Sequence, residues 1–179
     1  MKIKIWSVLF LLILLTACAP TKKIKNWISS PSVQKGGNES FAARFEPLKG
    51  DKKFFVSFRL SVMNKTDKSL KIDWNKTRYI YKGQPYGGFV FYGINPANIK
   101  DSIPPDFIEP GKLFSKEIFP TNLVAFTPIR EVVLDTKGKG IYPGPIPAGK
   151  NGIYLVVVVQ SGKEIAEKLT VNIAGNPER

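Results

Sequence analysis

The chain has 179 residues, 43% hydrophobic and 23% charged, with a formal charge of +13. That is the mixture of a globular domain with material for one hydrophobic core. It has no histidine and a single cysteine, Cys18. This excludes a Ser-His-Asp or Cys-His catalytic machine, a zinc site of the usual ligand types and any disulfide within the chain.

The chain opens on Lys2 and Lys4, an apolar run from Val8 to Leu15, and then Thr16-Ala17-Cys18. A basic start, a short apolar stretch and small residues form a secretory signal over residues 1–17, cleaved between Ala17 and Cys18. The apolar run is shorter than the roughly 17–25 residues a membrane-spanning helix needs. Leu15-Thr16-Ala17-Cys18 resembles the lipobox of bacterial lipoproteins. The resemblance implies a diacylglycerol on the Cys18 thiol and a membrane-anchored place in the cell envelope. Ala19, standing where an aspartate resembles an inner-membrane retention signal, implies the outer membrane facing the periplasm in a double-membraned bacterium. Without Lys2 and Lys4 the formal +13 becomes +11, a field that attracts anionic lipid, lipopolysaccharide and acidic wall polymers. Nucleic acid is not an expected partner for a chain that leaves the cytoplasm.

Residues 18–39 are polar and irregular, with Thr21-Lys22-Lys23, Ser29-Ser30-Pro31 and Gly36-Gly37-Asn38. They predict the lipidated N-terminus and a flexible tether. Trp27 and Ile28 interrupt it, and two placements are open: at the membrane interface beside the lysines, or on the domain as a first strand.

The domain is expected over residues 40–174, with a disordered tail at 175–179. Phe41 to Phe45 reads as an edge strand. Phe54, Val56, Phe58, Leu60 and Val62 then alternate with their neighbours, the period of a half-buried strand. Asn64 to Lys68 is a turn, Leu70, Ile72 and Trp74 alternate in a second strand, and Thr77 to Tyr81 is a third. A short strand over Phe89 to Phe91 precedes a proline-broken connection from Asn95 to Pro110. Leu113 to Phe119 and Glu131 to Leu134 are the next strands, followed by a loop from Thr136 to Gly152. Ile153 to Val159 is apolar on both faces and predicts a central strand covered on both sides. Ser161-Gly162 turns it into a last strand, Lys163 to Ile173. Roughly eight short strands and no sustained helical periodicity predict an all-β, antiparallel, immunoglobulin-like β-sandwich, with Trp74 as its large core residue. The stretch Phe58-Arg59-Leu60-Ser61-Val62-Met63-Asn64, its polar turn and Leu70-Lys71-Ile72-Asp73-Trp74 resemble a strand-turn-strand pattern of immunoglobulin-like bacterial envelope domains. That resemblance implies the fold and carries no functional residue.

Asp73-Trp74-Asn75 has two readings: a ligand-contacting acid beside an aromatic platform, or a core tryptophan followed by a turn. Alternation with Leu70 and Ile72 favours the second. Asn64-Lys65-Thr66 and Asn75-Lys76-Thr77 fit the glycosylation sequon but read as turns. Among the aromatics between Tyr79 and Tyr92, Tyr86 and Tyr92 are the expected exposed contacts for a partner. Asp101, Asp106 and Glu109 lack a calcium-loop spacing, so no metal and no cofactor is expected. The sequence therefore predicts a non-enzymatic, membrane-anchored lipoprotein that binds another envelope protein through sandwich loops or a sheet edge. Two alternatives stand beside it: binding of anionic lipid, lipopolysaccharide or acidic wall polymer by a basic surface, and a carboxylate-dependent cell-wall hydrolase.

Overall fold

The computed structural model describes residues 24–50, 53–94, 102–126 and 141–177. The expected signal peptide, Cys18 and the Glu131 to Leu134 strand lie outside them. Fourteen strands run through the described residues: β1 (Ile24–Ser30), β2 (Gln34–Gly37), β3 (Phe41–Leu48), β4 (Ser57–Asn64), β5 (Leu70–Ile72), β6 (Arg78–Tyr81), β7 (Gln84–Pro85), β8 (Phe89–Val90), β9 (Asp106–Ile108), β10 (Leu113–Pro120), β11 (Val124–Phe126), β12 (Ile141–Pro143), β13 (Gly149–Val158) and β14 (Glu164–Pro177).

They form two main antiparallel sheets. One has the order β1-β14-β13-β5-β9, with β6 also paired to β13 and β7 to β6; the other is β2-β3-β4-β10-β8. β11 and β12 make a separate ribbon. The chain makes the β3–β4 hairpin in one sheet and crosses to the other for β5 and β6. It returns to lay β10 beside β4, and crosses back to place β13 beside β5 and β6. This is the Greek-key path of an immunoglobulin-like sandwich.

Alternation decides what lies between the sheets. Phe41, Ala43 and Phe45 of β3 and Phe58, Leu60 and Val62 of β4 point inward. They meet Ile153, Leu155 and Val157 of β13 and Leu169, Val171 and Ile173 of β14, all at most 1% exposed. Phe45 and Phe58 stack with ring centroids 4.3 Å apart. Each such side chain contributes about 1.5–3 kcal/mol on burial. Trp74 is in this core as expected, 1% exposed.

Four expectations require correction. The tether contains strands from Ile24 onward: β1 pairs with β14 and β2 with β3, so Phe41–Leu48 is not an edge. Of the two placements open for Trp27, the structure shows the first strand, its ring packed against the core. The tail is ordered as strand to Pro177, because β1 supplies its partner from Trp27↔Gly175 to Ile24↔Pro177. The connections at Asn95 to Pro110 and Thr136 to Gly152 each hold a short strand, β9 and β12. Finally, β13 is central in its sheet, but its outer face is open at Tyr154, which is 42% exposed.

Candidate binding surface

The residues singled out from sequence do not converge. Tyr86 and Tyr92 are both exposed, at 45% and 43%, but each leans on its own neighbours. The Tyr86 ring lies 6.2 Å from Tyr79 and 6.0 Å from Tyr81, whereas Tyr92 meets Phe119 edge-on at 5.0 Å. Tyr79 belongs to the first sheet, Phe119 to the second. Partial burial, with Glu117 nearby, raises the Tyr92 phenol above its ordinary value. Burial does the same to Tyr79, whose hydroxyl donates to Asn151 Oδ1 in the core.

Asp73-Trp74-Asn75 is structural throughout. Asp73 Oδ1 accepts the backbone N–H groups of Asn75 and Lys76 at 3.0 and 3.2 Å. Thr77 Oγ1 accepts from Val156 N at 3.1 Å and donates to Asp73 O at 2.8 Å, locking the turn between β5 and β6 onto β13. Asn75 holds the backbone of Ile103 with a donated and an accepted bond, both at 2.9 Å. Asn64 Oδ1 likewise accepts the Thr66 N–H at 2.8 Å, the Asx turn expected there.

Asp106 and Glu109 each have partners within the protein. The Trp74 Nε1–H donates to Asp106 Oδ2 at 2.8 Å, and the Lys116 ammonium pairs with the same oxygen. Glu109 Oε2 accepts from Ser69 Oγ at 3.0 Å. Asp101 lies outside the described residues, among which no three potential ligands gather. Lys116 is the unexpected member of this group. It stands on the inward face of β10 with Phe114 and Ile118, its Nζ 3.7 Å from the Phe91 ring centroid and 5.5 Å from that of Phe114. Phe91, Phe114 and Trp74 thus wall a charged pair into the sandwich opening, and Asp106 compensates the cation there.

The surface with the strongest binding character lies at the end where β13 finishes and β14 begins. β9 pairs with β5 on one side only, and among the described residues its outer edge carries no partner strand. Phe107, at its centre, is the most exposed large apolar residue described, at 66%. It borders a groove of about 300 Å³ with Lys71, Val158, Val159 and Gln160. A second groove, also about 300 Å³, shares Val159 and Gln160 and continues past Thr66 and Leu70. The β13–β14 turn stands between them, fixed by bonds from Val159 N to Lys163 O and from Gly162 N to Val159 O. By sequence, Phe107 falls inside the proline-broken connection from Asn95 to Pro110. The grooves are not legible there, because Phe107 sits opposite Lys71 and Lys71 opposite Val158 only through two strand pairings.

A different groove of about 370 Å³ runs over the outer face of the same sheet. Its apolar floor is Ile80, Pro85 and Tyr154, and its rim Lys76, Arg78 and Lys168. Cross-strand pairing puts Arg78 and Lys168 on either side of Tyr154. Glu164 pairs with Lys76 and holds that ammonium above its ordinary value through their hydrogen bond.

The class these features define is an all-β, immunoglobulin-like sandwich whose β9 edge is open among the described residues. Compared with protein-family models and with curated proteins, the chain matches none.

Proposed function

We propose that this chain is a lipid-anchored, non-enzymatic binding module of a bacterial cell envelope. It is held by a diacylglycerol on Cys18 and engages another envelope protein along the β9 edge. In a double-membraned host the anchor is in the outer membrane and the domain faces the periplasm. The observation carrying the protein-binding part is Phe107, 66% exposed beside a groove, on a strand whose second edge has no partner among the described residues. An unpaired strand edge offers backbone donors and acceptors to an incoming strand, and adjacent grooves accept its side chains. The non-enzymatic part rests on the missing histidine and the single cysteine, committed to lipid.

The test is a photo-crosslinking residue at Phe107 in the native bacterium, compared with one at Ser115 on the outer face of the other sheet. A discrete adduct at 107, absent at 115 and lost in a Cys18→Ser chain, is the expected result. Identical adducts at both positions overturn the edge as the contact.

A second reading has a specific observation in its favour: the cationic rim around Tyr154. An apolar floor ringed by lysine and arginine suits lipopolysaccharide or an acidic wall polymer. It predicts binding that weakens steeply with salt and in Arg78→Gln and Lys168→Gln chains. Binding that ignores salt removes this reading.

A further inference from the structure

β1 begins, and β14 ends, at the same end of the sandwich, because Ile24 pairs with Pro177. Three other connections come to this end. The turn after β3 is one, since Lys49 Nζ donates to Asn26 Oδ1 of β1 at 2.7 Å. The β6–β7 turn is another, since Lys82 N donates to Lys150 O at 2.8 Å, and the approach to β13 around Ala148 is the third. Their described cations are Lys49, Lys53, Lys82 and Lys150, and no described acid stands in these connections. By sequence the first of them reads Lys49-Gly50-Asp51-Lys52-Lys53, three cations to one acid. The opposite end is balanced: Glu39, Asp67, Glu109 and Glu164 against Lys65, Lys68, Lys112 and Lys163, four of each. Among the described residues, the charge of the sandwich is therefore uneven between its two ends.

We propose that the basic end is a docking surface for the anionic phospholipid headgroups of the membrane that carries the anchor. The proposal rests on lipidation at Cys18. Two facts select this occupant. Six residue steps separate Cys18 from Ile24, where β1 starts. Even fully extended they reach about 20 Å, so the end where β1 starts is held within that distance of the bilayer. That end is the one with the excess of lysines, and each lysine near an anionic surface strengthens association roughly fivefold. The Debye length of about 8 Å at physiological ionic strength lets the attraction act only when this end is down. Docked so, the sandwich stands on the membrane with the Phe107 edge at the far end, turned away from the lipid.

The experiment uses the full lipidated chain reconstituted into phosphatidylcholine vesicles, with and without phosphatidylglycerol. A fluorophore is placed on Ala148→Cys at the basic end or on Ser161→Cys at the far end, and headgroup-nitroxide lipid serves as quencher. Mass spectrometry scores the acyl group on Cys18. With phosphatidylglycerol, the dye at position 148 is expected to be quenched several-fold more than that at 161. The difference should collapse in pure phosphatidylcholine, at high salt, and in a chain carrying K49Q, K53Q, K82Q and K150Q. Equal quenching at both positions on an acylated chain overturns the docking and leaves the anchor standing. A chain without the acyl group overturns the anchor and, with it, the docking; the salt titration needs no substitution in the lysines.

Discussion

Lys116 shows how one charged side chain sets local design. Its ammonium and Asp106 are both about three-quarters buried, with side-chain exposures of 24% and 27%. Asp106 also accepts the Trp74 indole N–H. Lys116→Met keeps the stem's packing but leaves a largely buried carboxylate without its cation. Such a loss is expected to cost about 2 kcal/mol, read as a lower denaturant midpoint. Adding Asp106→Asn should recover part of that loss, so the double-mutant cycle should show coupling. Tyr79 makes a separate prediction about pH. Burial raises its phenol above the ordinary value of 10.0, so the folded chain keeps a proton that the unfolded chain gives up. Its contribution to stability is complete below pH 10 and is lost as pH rises beyond it, at up to about 1.4 kcal/mol per pH unit. Tyr79→Phe should be less stable at neutral pH by about 1–2 kcal/mol, because Asn151 Oδ1 loses its donor. It should also show a shallower decline above pH 10. An identical slope in both chains would sink the assignment.

Elements follow the same physics, with backbone approach added to side-chain pairing. Gly152 lies where β13 crosses β14, and a Cβ there would meet Leu169 O at 2.5 Å and Thr170 Cγ2 at 2.8 Å. The first obstacle is backbone and cannot swing away. Gly152→Ala is therefore expected to cost about 1–3 kcal/mol, a fall in Tm of roughly 2–12 °C for a domain of this size, measurable by thermal unfolding. β4, β5, β13 and β14 were legible in the sequence because alternating or continuous apolar residues announce them. β1 and β2 were not. The sequence Ile-Lys-Asn-Trp-Ile-Ser-Ser of β1 has a core-packed ring only at Trp27, and Gln-Lys-Gly-Gly of β2 has too few side chains to show a period. Gly36 is small for a spatial reason, since a Cβ there would lie 2.5 Å from Leu169 Cδ2. β9 was hidden by Pro104 and Pro105 and by its length of three residues. Exposed tyrosines were readable at Tyr86 and Tyr92, but neither lines the grooves of the candidate surface. The Phe107 edge and the inward turn of Lys116 were not readable, because both depend on which strands meet.

At the scale of the whole molecule, β1 decides how far the domain stands from its proposed anchor. If residues 18–39 were a free tether, the contour between lipid and domain would be about 75 Å. With β1 paired to β14, the sandwich starts only six residue steps after Cys18. The strand that does this is an edge strand held by backbone pairing and one inward ring. Trp27 packs against the core, whereas Ile28 is 48% exposed. The proposed docked orientation is therefore only as firm as the seat of Trp27. Trp27→Ala removes the ring and is expected to cost about 2 kcal/mol, less than for a fully buried tryptophan. Because β1 touches the rest of the fold chiefly through β14, the loss should appear as local opening before global unfolding. Hydrogen exchange is the measurement: amides of β1 and of residues 174–177 should lose protection in Trp27→Ala. Those of β13 facing β5 and β6 should keep theirs. Uniform loss across both sheets would mean that β1 is part of the cooperative core. The seat of the sandwich relative to its proposed anchor would then loosen only with global unfolding.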